Sequence, residues 1–285
     1  MKLVVRELTD TRCSFTVDSL RPDVINALRR TLISEVPKMS IDEVEFHMGP
    51  IRDEEGNEYD SNSALFDEII AHRLGLIPIP TDLDHYTFRE TCECGGAGCP
   101  HCTIIYVLNK KGPCTVYSGD LQPLGDMSLR IKEELIPVVK LKEKQALLIY
   151  ATAVMGIGKT HAKWQPVTVC GYNYYPEVEV GKDCCYDPEV CAASCPRGVL
   201  AVEKGKVVVK ELENCNLCMN CIDVCESSDG SGNPSISVKG RDDKFIFTFE
   251  TDGSITAKAA LKYALNLLAE RFENIRDQVS GLDEA

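Results

Sequence analysis

No apolar run in this chain approaches the roughly 18 residues that a membrane-crossing helix needs. The longest runs from Ala146 to Val154. The first residues, Met1-Lys2-Leu3-Val4-Val5-Arg6-Glu7-Leu8, lack the apolar core of a secretory signal. A cytoplasmic setting, in which thiols stay reduced, is therefore expected. Positive charge is scarce. Lys and Arg number 31 against 44 Asp and Glu, a net charge of −13 in 285 residues. A chain built mainly to grip phosphate backbones would carry the opposite sign, so strong direct nucleic-acid binding is not expected. No solenoid-period repeat and no low-complexity tract occurs, and no G-x-G-x-x-G fingerprint follows a strand, which removes the usual dinucleotide reading. With 44% apolar and 26% charged residues the composition is that of a folded globular chain. Its length suggests about two domains.

What the chain has in excess is cysteine, 15 in all. An odd count in a reducing setting argues against a disulfide framework and for metal ligands. Four lie between Cys92 and Cys102 and eight between Cys184 and Cys225. Cys13, Cys114 and Cys170 stand alone and read as small buried hydrophobes.

Cys215, Cys218, Cys221 and Cys225 form C-x2-C-x2-C-x3-C, the bacterial ferredoxin run. Two-residue gaps let three thiolates wrap one cubane, while the fourth starts a helix and crosses to the neighbouring cluster. Cys191-Ala192-Ala193-Ser194-Cys195-Pro196 is the end of a mirrored first run, so Cys195 completes the first cluster with Cys215, Cys218 and Cys221. A 4Fe–4S cluster is expected there. A zinc site is the plain alternative, although zinc favours two separated C-x2-C knuckles. For a second cluster the register asks for cysteines at 185, 188 and 191, and position 188 is Pro188. Cys185, Cys191 and the crossed Cys225 would hold a 3Fe–4S cluster, or a 4Fe–4S cluster if Cys184 joins them.

Cys92-Glu93-Cys94-Gly95-Gly96-Ala97-Gly98-Cys99-Pro100-His101-Cys102 is C-x-C-x4-C-x2-C. Its glycines allow the turns that fold Cys92, Cys94, Cys99 and Cys102 round one tetrahedral ion, and zinc suits so short a loop. The plain alternative is a flexible loop with free thiols, and His101 is expected to stay exposed. Ala153-Val154-Met155-Gly156-Ile157-Gly158-Lys159-Thr160 imitates a phosphate loop. Pro166 stops any helix behind it and no magnesium-binding strand follows, so a packing loop is the better reading.

Lys2–Leu8 and Arg12–Val17 alternate as strands, and a helix runs from Pro22 to the stop at Pro37. Ser63–Leu74 reads as a helix. Thr103–Leu108, Met127–Ile131 and Ala146–Ala153 read as strands, and Val199–Val202 pairs with Val207–Val209 in a hairpin. Lys244–Glu250 is a strand, Asp252-Gly253 a turn. From Ala257 to Val279 apolar residues recur at helical spacing over about 36 Å. That stripe is covered either by the chain's own sheet or partly by a second chain.

Three segments together carry a resemblance. Phe15 with Asn26-Ala27-Leu28-Arg29-Arg30-Thr31-Leu32-Ile33-Ser34-Glu35-Val36-Pro37, then 67–78 (Asp67-Glu68-Ile69-Ile70-Ala71-His72-Arg73-Leu74-Gly75-Leu76-Ile77-Pro78), then 158–166 (Gly158-Lys159-Thr160-His161-Ala162-Lys163-Trp164-Gln165-Pro166) resemble signatures of the α-like assembly subunits of DNA-directed RNA polymerase, in their archaeal and eukaryotic form. The resemblance implies an α+β fold with three modules. Residues 1–41 and 240–285 would be a discontinuous dimerisation domain, 42–166 an insert domain carrying the zinc-like loop 92–102, and 167–239 a ferredoxin-like iron–sulfur domain. It implies no catalytic residue on this chain, nucleotidyl transfer being the work of other subunits. Ala27, Leu28 and Leu32 with Ala264, Leu268, Phe272 and Ile275 would form the face that pairs with the small α-like subunit L, and subunits N and P and the large catalytic subunits would join later. An electron-transfer protein of ferredoxin type is the rival reading, and a phosphate-loop ATPase a more distant one.

Overall fold

The computed structural model describes residues 1–52, 55–181, 187–225 and 235–280. The described fold is mixed, with more strand than helix. It divides into two compact units. One comprises 1–7, 14–27 and 171–248, the other 8–13, 28–170 and 249–285, so each is assembled from segments distant in the sequence.

In the first unit the strands Lys2–Leu8, Arg12–Asp18, Ile236–Thr251 and Val167–Val180 lie side by side in that order. Alternation puts Phe15 and Phe247 on one face, where their rings stack at 5.1 Å, and Tyr172 meets Phe245 edge-on at 5.6 Å. The expected hairpin is present as Leu200–Glu203 paired with Lys206–Val209, turning through Lys204 and Gly205, both at positive φ. Two short helices, Pro188–Ala193 and Asn220–Val224, accompany it. Asp187 opens the first by accepting hydrogen bonds from the Glu189 and Val190 amides. A small core unites Val199, Leu200, Val207, Ile236 and Val238 with Cys191 and Cys225.

In the second unit the strands Pro37–Phe46, Ala146–Ile157, Thr103–Lys111 and Gln122–Pro123 form an antiparallel sheet in that order. Ile149 faces Phe46 on one neighbour and Leu108 on the other. Met39, Ile41, Tyr106, Leu108 and Ala151 pack with Ile70 and Leu74 from the helix Asp67–Gly75. That helix starts later than the expected Ser63, because the Ser63 hydroxyl accepts from the Leu65 amide and holds a local turn. The expected strand Met127–Ile131 is instead a single 3-10 turn over Met127–Leu129. Asp126 caps it by accepting from the Ser128 amide at 2.8 Å. The C-terminal helix spans Ala257–Ser280, as its spacing predicts.

Two features of this unit explain how distant segments meet. Lys38, only 3% exposed, pairs with Asp252, 11% exposed. The other Asp252 oxygen accepts the Ser254 amide and hydroxyl, and the Asp252 amide donates to the Pro166 carbonyl at 2.9 Å. The second feature is the phosphate-loop imitation. A methyl at Gly156 would collide with the Trp164 ring, and one at Gly158 would lie 2.5 Å from the Ile33 carbonyl oxygen. The Lys159 amide, which a phosphate loop would offer to its ligand, donates to Ser34 at 2.8 Å. These glycines serve close packing.

Asp252→Ala leaves Lys38 charged and buried, and is expected to cost about 3–5 kcal/mol in denaturant unfolding. Gly156→Ala is expected to cost about 1–3 kcal/mol by overpacking against Trp164, and millimolar ATP is expected to leave its melting curve and that of the unaltered chain unchanged.

Candidate functional site

The Cys92–Cys102 loop brings its four thiols together. Cys92 and Cys99 sulfurs lie 3.5 Å apart, Cys94 and Cys102 3.6 Å, and Cys99 and Cys102 3.8 Å. Four thiolates at the zinc–sulfur bond length form a tetrahedron with edges of about 3.8 Å, so the donor set fits a single tetrahedral ion. All four are free thiols, and among the described residues no other group of three or more potential ligand atoms lies within 4.8 Å of one another. Gly95, Gly96 and Gly98 all have positive φ, which lets the chain reverse twice within the loop.

The loop's own amides turn toward the sulfurs. The Gly98 amide, with help from the Cys92 and Cys102 thiols, brings the Cys94 thiol down to about 6 against the opposing effect of burial. The Cys94 amide and the Thr87 hydroxyl lower Cys92. At Cys99 the His101 amide pulls the same way, but the Cys92 thiol, burial and the Cys102 and Cys94 thiols outweigh it and leave it at about 11. Four sulfurs this close cannot all ionise without a cation among them. Sequence reasoning missed the supporting side chains. Arg89 donates through Nε to the Gly96 carbonyl at 2.9 Å and reaches Glu43 at 3.4 Å, anchoring the loop to the strand Pro37–Phe46. Its place three residues before Cys92 gave no such signal. His101 is exposed.

In the first unit, Cys195, Cys215, Cys218 and Cys221 line one small cavity with Val178, Val199, Leu200 and Val238. Burial raises the Cys221 thiol, and Cys195, Cys215 and Cys218 push it the same way. These sulfurs do not close to within 4.8 Å of one another as the Cys92 set does. A polynuclear cluster seats each thiolate on its own iron corner, so wider spacing suits it. Leu217 and Met219, on either side of Cys218, both adopt positive φ. Two non-glycine residues in that region within three positions mark a loop bent for a purpose. Cys218 is the exposed member of the four.

Cys191 and Cys225 are both 1% exposed and share the small core. Contrary to the expectation that it starts a helix, Cys225 begins none. It follows the end of the helix Asn220–Val224, and its amide closes the last turn onto Cys221 at 3.2 Å. Cys184 and Cys185 lie outside the described residues. Of the lone cysteines Cys13 is buried, while Cys114 and Cys170 are half-buried.

The expected pairing face is divided. Leu28, Leu32 and Ala264 are covered by the chain itself, and Ala27 and Leu268 are half-buried. Phe272, Ile275 and Val279 are 61%, 57% and 54% exposed, as is Leu265 at 47%. The last turns of the C-terminal helix thus carry apolar side chains into solvent. Arg271 holds that helix to the end of the N-terminal one through a two-pronged pair with Glu35, whose hydrogen bond keeps the Glu35 carboxyl below the usual range. No helix among the described residues is long and apolar enough to cross a membrane.

Residues 14–272 match the family model of the RNA polymerase Rpb3/Rpb11 dimerisation domain. The chain is 44% identical over 280 residues to the DNA-directed RNA polymerase subunit Rpo3 of Thermoplasma volcanium, covering 98% of this chain and 100% of that protein. It is 41% identical to the Rpo3 subunit of Picrophilus torridus over 98% and 99% of the two chains, and 37% identical to that of Methanosphaera stadtmanae over 96% and 97%.

Proposed function

We propose, from the premise that the chain belongs to the RNA polymerase Rpb3/Rpb11 dimerisation-domain family, that it is the assembly subunit of an archaeal-type DNA-directed RNA polymerase and pairs with the small α-like subunit L. The observation that carries this reading is the open apolar end of the C-terminal helix, Phe272, Ile275 and Val279. Three large apolar side chains on the exposed turns of one helix call for a partner surface. Full-length relatives named as polymerase subunits support it, and the ferredoxin-type alternative finds no support among them. On this reading nucleotidyl transfer takes place on other subunits, and this chain supplies a platform for subunits N and P and the large catalytic subunits. Residues 1–41 and 240–285 then act as the dimerisation domain, 42–166 as the insert domain, and 167–239 as a ferredoxin-like iron–sulfur domain.

The Cys92, Cys94, Cys99 and Cys102 set would hold zinc, which supplies cross-linking rather than chemistry. Cys195, Cys215, Cys218 and Cys221 would hold a 4Fe–4S cluster. Cys191 and Cys225, with Cys185 and Cys184, would hold a second cluster, 4Fe–4S or 3Fe–4S. A module whose own core is small gains much of its folding free energy from its ligands.

Phe272→Asp combined with Ile275→Asp is expected to weaken pairing with the small subunit at least about a hundredfold, because each charge would be buried in the interface. Isothermal titration measures this, while the unfolding of the isolated chain stays within about 0.5 kcal/mol of the unaltered one. Leu28→Asp, by contrast, is expected to unfold the chain itself. Pairing at unaltered affinity by the double variant overturns the proposed face. Anaerobically purified complex is expected to contain about one zinc per chain. Cys94→Ser removes the zinc and leaves the iron, and the triple change Cys215→Ser, Cys218→Ser, Cys221→Ser removes about four irons and leaves the zinc. Metal contents that ignore these substitutions refute the assignments.

A further inference from the structure

We propose that Glu213 is a strap through which the state of the Cys215–Cys221 loop sets the order of the edge strand Lys2–Leu8. The inference rests on reading that loop as the seat of a cluster.

Glu213 lies in the 3-10 turn Leu212–Asn214, and the amide of the next residue, Cys215, closes that turn onto Leu212 at 3.1 Å. Its carboxylate meets two side chains of the four-stranded sheet. Oε2 pairs with Arg6, and Oε1 accepts the Tyr175 hydroxyl at 3.0 Å. In the four-stranded sheet, Arg6 sits on one outer strand and Tyr175 on the other. Three strand spacings are about 14 Å, so one carboxylate, met by two long side chains, ties the two edges together. Lys244, on a strand between them, sets its ammonium 3.4 Å from the Tyr175 ring centre.

The loop has a second foothold on the same sheet. Gly240 lies beneath Leu217, and a Cβ at 240 would come 3.1 Å from Leu217 Cδ1 and 2.7 Å from Tyr174 Cβ. The missing side chain is what admits the loop to the sheet surface. Leu217 is also one of the two left-handed residues beside Cys218. A non-glycine residue held there costs free energy that the fold must offset, and ligation of the flanking thiolates offsets it. Without ligation the loop is free to relax, and Glu213, four residues before Leu217, moves with it.

The edge strand is the element most open to such a change. Every residue of Lys2–Leu8 is exposed, and Leu3, Val4 and Val5 stand about half in solvent. It has one neighbouring strand, Arg12–Asp18, and its ties beyond that ladder include the Lys2 amide on Asp18 at 2.7 Å and the Arg6–Glu213 pair. A partly exposed ion pair contributes little to global stability. At a strand with no buried face it decides local order. Linkage makes the effect reciprocal, so whatever holds the strand also holds the loop.

Hydrogen exchange on the anaerobically purified polymerase complex tests this, with iron content and visible absorption recorded for every sample. In the unaltered protein, iron removal by a chelator is expected to speed exchange at 215–221 and, by about three- to tenfold, at 2–8. Glu213→Gln with full iron and an unchanged spectrum is expected to speed exchange at 2–8 alone. Arg6→Gln is expected to raise the rate of iron release about threefold. If iron removal loosens 215–221 and leaves 2–8 unchanged, the strap is overturned and the cluster reading stands. An iron-replete Glu213→Gln with unaltered exchange at 2–8 also overturns it. Protein that never carries iron in this loop overturns the cluster reading and the strap together.

Discussion

The ion pair between Lys38 and Asp252 is the junction on which the second unit depends. It joins residues 214 positions apart and removes both charges from solvent. Such a pair does not by itself make a fold more stable than a well-packed apolar contact would. It makes the junction specific, because neither charge tolerates another neighbour. Asp252 also accepts from Ser254 at the approach to the C-terminal helix and donates its amide to Pro166 at the close of the 42–166 segment. One residue thereby fixes where three stretches of chain meet. Chain-closure entropy grows slowly, by about 0.6 kcal/mol for each doubling of loop length. A fold closed by such a junction can therefore carry long cysteine-rich segments between its ends at modest cost.

The two cysteine groups solve different physical problems. The Cys92 loop is mounted on a large core that includes Tyr106, Leu108 and Ile149, so the ion proposed for it would have only the loop to order. Its amides and Arg89 already turn the thiols inward. The Cys215 loop packs against a small cluster that counts two cysteines, Cys191 and Cys225, among its few buried residues. There the cysteines proposed as ligands are themselves part of the packing. If the proposed metals are bound, losing the first would disorder a loop, whereas losing the second would remove interior contacts along with the bonds.

Much of this was legible in the sequence, because periodicity and ligand spacing are local properties. The strands Lys2–Leu8 and Arg12–Asp18, the hairpin after Cys195 and the C-terminal helix appear where alternation and helical spacing put them. The failures are those of tertiary context. Met127–Ile131 has the composition of a strand, but one Asp126 cap is enough to curl it. Periodicity drew one apolar stripe through Leu28, Leu32, Ala264, Leu268, Phe272 and Ile275 and could not say which part the chain covers itself. Leu32 and Ala264 are fully covered, and Phe272 stands in solvent. Gly156 and Gly158 gave a phosphate-loop signal for a steric reason, the Trp164 ring and the Ile33 carbonyl. The Glu213 bridge was invisible because its partners are 207 and 38 residues away.

The charge balance acquires a structural meaning once the cations are located. Arg6 is committed to Glu213, Arg89 to Glu43 and Gly96, Arg271 to Glu35, Arg241 to Asp243, and Arg73 to the Val138 carbonyl. Lys38 and Lys163 are likewise paired, with Asp252 and Asp42. Several of the positive groups thus pin distant segments of the chain to one another, and the chain as a whole keeps an excess of 13 negative charges. A surface of that sign repels a phosphate backbone over about a Debye length, some 8–10 Å at ordinary ionic strength. It also narrows what can dock. A partner must either meet the acidic surface with basic side chains or settle on exposed apolar side chains, which Phe272, Ile275 and Val279 supply. On the proposed reading, the apolar side chains left exposed on the C-terminal helix, more than the net charge, mark where a protein partner would settle.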